Sequence, residues 1–232
     1  MPKFSITGDI DPFLHVSLAH GEKIYCESDA MVMMEAALDL KGKVTGGIGA
    51  ALMRRFANGE SFFQQHIEAV RGEGDCLLAP RLPGAMQVLD VGQRQYMLSD
   101  GAFVAATSSV ELKVRTQSLG NALFAQSGGF FITETAGVGQ VAVSGFGSIS
   151  QLDVTPGRDV IIDNSHVVAW DSALRYEISV TTGGNSGFLS NLVNSQTSGE
   201  GMVLRFSGQG KILICSRNGA AFQAWAQRGV AQ

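Results

Sequence analysis

The sequence predicts an all-β fold made of three tandem copies of a small β-sandwich or double-stranded β-helix-like unit, and three observations carry that prediction. Short runs rich in Val, Ile, Phe and Tyr are broken by Gly, Asn and Asp about every eight to twelve residues, the punctuation of strands rather than helices. Several residue patterns recur in the same order along the chain, as internal repeats do. Three Gly-x-Gly elements, opening at Gly72, Gly137 and Gly208 and hence 65 and 71 residues apart, close successive stretches of like pattern.

The first copy opens at Gly21-Glu-Lys-Ile-Tyr25 and runs through Ser28-Asp29 into Met31-Val32-Met33-Met34. The second opens at Gly92-Gln-Arg-Gln-Tyr96 and runs through Ser99-Asp100 into Ala102-Phe103-Val104-Ala105, so Gly, Tyr, Ser and Asp recur at an offset of 71. The third, closer in pattern than in identity, opens at Gly157 and passes Asp163-Asn164-Ser165 into Val167-Val168-Ala169-Trp170. In the second halves, Gly59-Glu-Ser-Phe-Phe63 matches Gly128-Gly-Phe-Phe131 and Gly199-Glu-Gly-Met-Val203. Each Gly-x-Gly then leads into an apolar strand: Cys76-Leu77-Leu78, Val141-Ala142-Val143 and Ile212-Leu213-Ile214. The expected division is residues 1–88 for the N-terminal strands and first repeat, 89–151 for the second, and 152–232 for the third with a C-terminal tail.

Asp100-Gly101 and Asn218-Gly219 are dipeptides that accept positive φ, as tight hairpins require. Val141 to Ser144 and Lys211 to Cys215 read as strands buried on one or both faces. Helix is expected to be minor, confined to Ala50–Ala57 and the neighbourhood of Gly187–Val193.

Hydrophobic residues make up 45% of the 232 and charged residues only 16%, so much of the chain is buried or lies in interfaces, and assembly would cover part of its surface. A net charge of −4, without Lys or Arg runs longer than pairs, disfavours general nucleic-acid binding, which draws its affinity from clustered positive charge. Cys26, Cys76 and Cys215 are odd in number and show neither C-x-x-C nor zinc-ligand spacing, which fits a reducing compartment. The N-terminus shows no signal peptide, and eighteen consecutive apolar residues occur nowhere, so a soluble cytoplasmic protein is expected.

Chemistry is sought and not found. His15 and His20 would face opposite sides of a continuous strand, His66 sits in a segment read as an insertion absent from the other copies, and His166 opens an apolar strand. Gly-x-Ser-x-Gly is absent, Ser61 and Ser186 read as turn residues, and the Gly-x-Gly elements lack the third glycine and following helix of a dinucleotide site. No catalytic residue, cofactor or metal ligand is therefore assigned. The sharpest functional reading falls on glycine-flanked apolar connections: Ile48, Leu52, Met53, Arg54, Arg55 and Phe56, then Leu123 and Phe124, then Phe188, Leu189 and Leu192. On one rim of an assembly they would dock a protein partner or an anionic membrane; the alternative is burial against a neighbouring unit or subunit.

Leu82-Pro-Gly84, the Gly-Ala-Phe-Val-Ala stretch from Gly101, His166-Val-Val-Ala-Trp170 and the segment from Ser198 to Gly210 together resemble the altered-inheritance-of-mitochondria family, protein number twenty-four and its uncharacterised bacterial relatives. The resemblance runs from Phe4 to about Asn218. It implies a fold similar to the tryptophan RNA-binding attenuation protein, present three times per chain, with three chains closing a ring of nine units. The family offers no established catalytic residues to carry over. Its eukaryotic members act in mitochondrial inner-membrane organisation, its bacterial members have no assigned role, and the lack of a presequence here favours a bacterial-type cytoplasmic protein. The expected function is a non-enzymatic, homotrimeric, ring-forming scaffold or adaptor. An RNA-binding or small-ligand-binding ring is the alternative, the RNA version weakened because recurring aromatics lack matched Lys or Arg.

Overall fold

A computed structural model describes residues 1–43, 64–116, 131–180 and 202–230. The described chain opens with β1 (Lys3–Thr7), β2 (Phe13–Leu18), β3 (Lys23–Glu27), β4 (Met31–Met34), β5 (Leu38–Lys43), β6 (Gln64–Ala69) and β7 (Gly74–Leu78). It continues with β8 (Met86–Val91), β9 (Tyr96–Ser99), β10 (Phe103–Thr107), β11 (Val110–Thr116), β12 (Phe131–Gly137) and β13 (Gly139–Ser144). Then come β14 (Ile149–Val154), β15 (Val160–Asp163), β16 (Val167–Asp171), β17 (Arg175–Val180), β18 (Met202–Ser207) and β19 (Gly210–Cys215). A helix, α1 (Gly219–Val230), ends the described chain. The all-β expectation holds, with helix a minor component.

The strands form four antiparallel sheets, ordered β1-β2-β7-β4, β5-β6-β3-β10-β13-β8, β11-β12-β9-β16-β19-β14 and β15-β18-β17. Adding six to every strand number of the first six-stranded sheet yields the second. The trio β2-β7-β4 matches β8-β13-β10 by the same shift, and β15-β18-β17 matches β9-β12-β11. Local irregularities follow the pattern: single-residue bulges interrupt the pairing at Val32 in β4, Val104 in β10 and Val168 in β16. The boundaries read at 88 and 151 fall inside β8 and β14, the strands that open the second and third sets of six.

Three cores separate the sheets. The first joins Leu14, Val16 and Leu78 of the four-stranded sheet to Ile24, Cys26, Ile67 and Val104 of the first six-stranded sheet. The second joins Tyr25, Phe103, Val141 and Val143 to Leu98, Ala169 and Leu213 of the next sheet. The third joins Ile132, Trp170 and Ile212 to Leu204 and Phe206 of the three-stranded sheet. Because successive side chains of a strand point to opposite faces, a strand between two cores must be apolar at every position. That is why Val141-Ala142-Val143 reads as an unbroken apolar run: Ala142 faces the first core and its neighbours the second.

The Gly-x-Gly elements mark where the chain crosses from one sheet to another, from β6 to β7, β12 to β13 and β18 to β19. The second glycine of each passes under a polar and an apolar side chain: Gly74 under Glu35 and Leu38, Gly139 under Thr107 and Val110 with Ser109 beside them, Gly210 under Asp171 and Leu174. The same polar residue accepts a hydrogen bond from the next backbone N–H: Asp75 to Glu35 Oε2 at 3.1 Å, Gln140 to Thr107 Oγ1 at 3.1 Å, Lys211 to Asp171 Oδ2 at 2.8 Å. A side chain on the glycine would occupy the space this contact needs.

Three expectations are corrected. The offset of 71 between the first two copies is one residue out. Ala30 N–H donates to Glu27 O as Ala102 N–H does to Ser99 O, and the positive φ falls on Asp29 and on Gly101, an offset of 72. Asn218-Gly219 is not a hairpin turn: the Ala221 N–H donates to Asn218 Oδ1 at 2.9 Å, so Asn218 caps α1. Asp100-Gly101 does turn with positive φ, but it joins strands of different sheets. His66 lies in no insertion; it is part of β6, opposite Tyr25 on β3. The helical turns expected at 50–57 and near 187–193 lie outside the described residues.

Candidate functional site

Every apolar-loop residue singled out by sequence, namely Ile48, Leu52, Met53, Arg54, Arg55, Phe56, Leu123, Phe124, Phe188, Leu189 and Leu192, lies outside the described residues. The features that distinguish one part of the described surface from another are sheet edges. β3 and β9 pair with β10 and β16, sealing the middle of each six-stranded sheet. Their counterparts under the six-strand shift, β15 and β4, stand at the ends of the three- and four-stranded sheets.

Burial separates these edges from their counterparts. All five residues of β10 and all five of β16 are buried. On β4, Val32 and Met33 are 53% and 42% exposed, and Ile161 on β15 is 45% exposed. Phe13, at the start of β2, is exposed as well, whereas Met86 and Ile149 at the corresponding ends of β8 and β14 pack into cores. Large apolar side chains on an unpaired edge are costly to leave in water and offer backbone groups ready for another strand.

Two clefts open on the described surface. One of about 530 Å³ is lined by Asp90, Arg94, Tyr96, Gln151 and Lys211, with Gln140 Nε2 donating to Asp90 Oδ1 at 3.0 Å. Burial, reinforced by the nearby Asp171 and Asp90 carboxylates, raises the Tyr96 phenol above its usual range. The other, of about 720 Å³, lies between Ile6, Ile10 and Pro12 near the N-terminus and Phe146, Arg217 and Phe222 near α1. Around it the segments joining successive strand sets stack on one another through a Gly84–Gly147 bridge and a Ser148 N–H to Ser216 Oγ hydrogen bond.

Several titratable groups among the described residues are buried or paired across strands. Burial pushes the Cys26 and Cys76 thiols up to about 12 and raises Cys215 also, so none offers a thiolate near neutral pH. The Tyr25 hydroxyl is raised by burial and donates to Val110 O at 2.7 Å. His166 Nδ1 is 2.8 Å from Cys215 O. Ser5, His15 and Asp75 form a row across β1, β2 and β7, with His15 at 3.4 Å from the Ser5 hydroxyl and 3.2 Å from Asp75 Oδ1. The row is an exposed set of cross-strand contacts and borders neither cleft. No group of three or more His, Cys, Asp or Glu placed to hold a metal ion occurs among the described residues. Nor does any described helix have the length and apolar character to cross a membrane.

Layered antiparallel sheets, two of them repeating one strand order, define an all-β protein whose distinguishing surface is a pair of edges left unpaired among the described residues. The chain belongs to the family described as Mitochondrial biogenesis AIM24, which it matches over residues 4–217. It is 34% identical over 223 residues to an uncharacterised protein of Streptococcus pyogenes serotype M6, covering 94% of this chain and 86% of that one. The X-ray crystal structure of a Streptococcus pyogenes protein superposes with a TM-score of 0.77 at 33% identity, covering 98% of this chain and 99% of that chain.

Proposed function

We propose that the chain is a non-enzymatic scaffold: three tandem copies of one six-strand unit, similar to the tryptophan RNA-binding attenuation protein, that assemble as a homotrimeric ring. The ring presents copies of one surface to a protein partner or a membrane. The observation that carries this reading is the strand order, in which a shift of six maps one six-stranded sheet onto the other, and the three-stranded sheet and the trio β2-β7-β4 onto halves of those sheets. On this reading the units are β2–β7, β8–β13 and β14–β19, each lending three strands to a sheet shared with the next. A chain built so ends in two half-sheets, and a ring of identical chains gives both a partner. Three buried, unpaired cysteines suit work in the reducing cytoplasm.

Native mass measurement at micromolar concentration is the test. Three times the 24.5 kDa chain mass is expected, and a species of one chain mass contradicts the ring. The membrane version has its own test. Flotation with anionic liposomes is expected to recover the unaltered protein and to lose most of a Leu52→Ser, Met53→Ser, Phe56→Ser variant; equal recovery rules that version out.

A further inference from the structure

We infer that β4 of one copy pairs antiparallel with β15 of the next, with Met33 opposite Ile162, Met34 opposite Ile161 and Glu35 opposite Val160. The inference rests on the ring reading and adds the surface and register by which copies join. Two seams inside the chain supply the template. In the first, Ala105, Ala106 and Thr107 face Cys26, Tyr25 and Ile24; in the second, Ala169, Trp170 and Asp171 face Leu98, Met97 and Tyr96.

Met33 holds the place of Ala105 and Ala169. All three follow the bulged valine, and each lies opposite the β7, β13 or β19 residue one position before the partner of the residue ahead of the bulge. Glu35 holds the place of Thr107 and Asp171, accepting the backbone hydrogen bond beside the second glycine. On the other strand, Ile162 faces Leu204, six residues before Gly210, as Leu98 faces Thr133, six residues before Gly139. That sets Val160 with Tyr96, and Ile162 with Leu98. The same match follows from the six residues that separate Leu98 from bulged Val104 and Ile162 from bulged Val168, as six separate Cys26 from Val32.

Burial supports the same register independently. At the first seam Ala105 and Cys26 share the first core, while Tyr25 and Ala106 share the second. At the second seam Ala169 and Leu98 share the second core, while Met97 and Trp170 share the third. In the inferred seam, exposed Met33 lies beside Ile162, which already packs on its own chain's third core. Exposed Ile161 lies beside Met34, which packs on the first core. Val32, the counterpart of buried Val104 and Val168, turns toward the same third core as Met33. Each exposed apolar edge residue thus meets a core that the other copy leaves unfinished. A register one residue away would reverse every one of these placements.

Engineered disulfides test the register in the full chain. The variants Met33→Cys/Ile162→Cys and Met34→Cys/Ile161→Cys put each pair on one face of the seam; Met33→Cys/Ile161→Cys puts its pair on opposite faces. On mild oxidation the first two are expected to form intermolecular bonds at least tenfold more than the third, in a ladder ending at a closed three-chain species. A native trimer in which neither in-register pair cross-links overturns the pairing while leaving the ring intact. A single-chain mass for the unaltered protein overturns the ring reading and this inference with it. Amide hydrogen exchange on the unaltered protein guards against misfolded variants. Slow exchange at β4 and β15, comparable with β10 and β3, is expected, and rapid exchange at both edges contradicts the seam.

Discussion

Gly139 concentrates much of what holds one residue in place. Its φ is +157°, and a Cβ there would overlap Thr107 Oγ1, the acceptor for Gln140 N–H, and press on Ser109 and Val110. Gly139→Ala is expected to cost about 1–3 kcal/mol, the range for forcing one methyl into a packed site. A melting temperature lower by several degrees would show it. Gly42→Ala, where a Cβ meets nothing within 4 Å, is the control and should melt as the parent does. A different signature belongs to Glu27, whose carboxyl is raised by burial more than the nearby Arg81 lowers it. A carboxyl raised in the folded state favours folding below its unfolded pKa, and that contribution disappears as pH rises through the folded value. Glu27→Gln should therefore melt higher than the parent near pH 7, with the gain shrinking as pH falls through the carboxylate range. At this scale the sequence was legible where residues repeat a role, as at the Gly-x-Gly crossings. It misled where identity and role part company: Asp29 and Asp100 match as letters, yet Asp29 shares its backbone conformation with Gly101.

Among elements, the strands announce themselves and α1 does not. Strands such as β10, β13 and β16 lie between two cores, so their sequences hold continuous apolar runs. The helix has no such stripe to display, because most of its described side chains are exposed. Its signals are local: alanines at 220, 221, 224 and 226, and the capping side chain of Asn218. The Asn-Gly pair reads equally well as a turn until those alanines are weighed with it. Contact with the β layers runs through Phe222, edge-on to Phe146 at 5.2 Å. Ending the chain after Asn218 is accordingly expected to leave the sheets folded, with a melting temperature within a few degrees of the parent. Fluorescence gives a second check. Of the two tryptophans Trp225 is 70% exposed and Trp170 is 1% exposed, so the shortened chain should emit further to the blue. Loss of cooperative melting on truncation would show instead that α1 is integral to the β layers.

At the scale of the whole molecule, repetition along the sequence and repetition across the sheets are different kinds of information. The first is carried by local composition and is legible. The second depends on which strand of one unit lies beside which strand of the next, and no short stretch records it: Tyr25 and Ala106 face each other from positions far apart in the chain. Among the described residues, β4 and β15 each stand at the end of a sheet. A head-to-tail contact between β15 and β4 is heterologous, so it closes into a ring or runs on as a filament according to the rotation it imposes. A closed trimer gains stability with protein concentration, since only the folded chains associate. On the proposed ring, the melting temperature of the unaltered protein is expected to rise with concentration. Ile161→Lys puts a charge on the edge of β15, the device by which natural sheets keep their edges from pairing. This variant should have the 24.5 kDa mass of one chain, keep the far-ultraviolet signature of β-sheet, and melt at a temperature independent of concentration. An Ile161→Lys protein that keeps three chains and the concentration dependence would place the contact between copies somewhere other than β15.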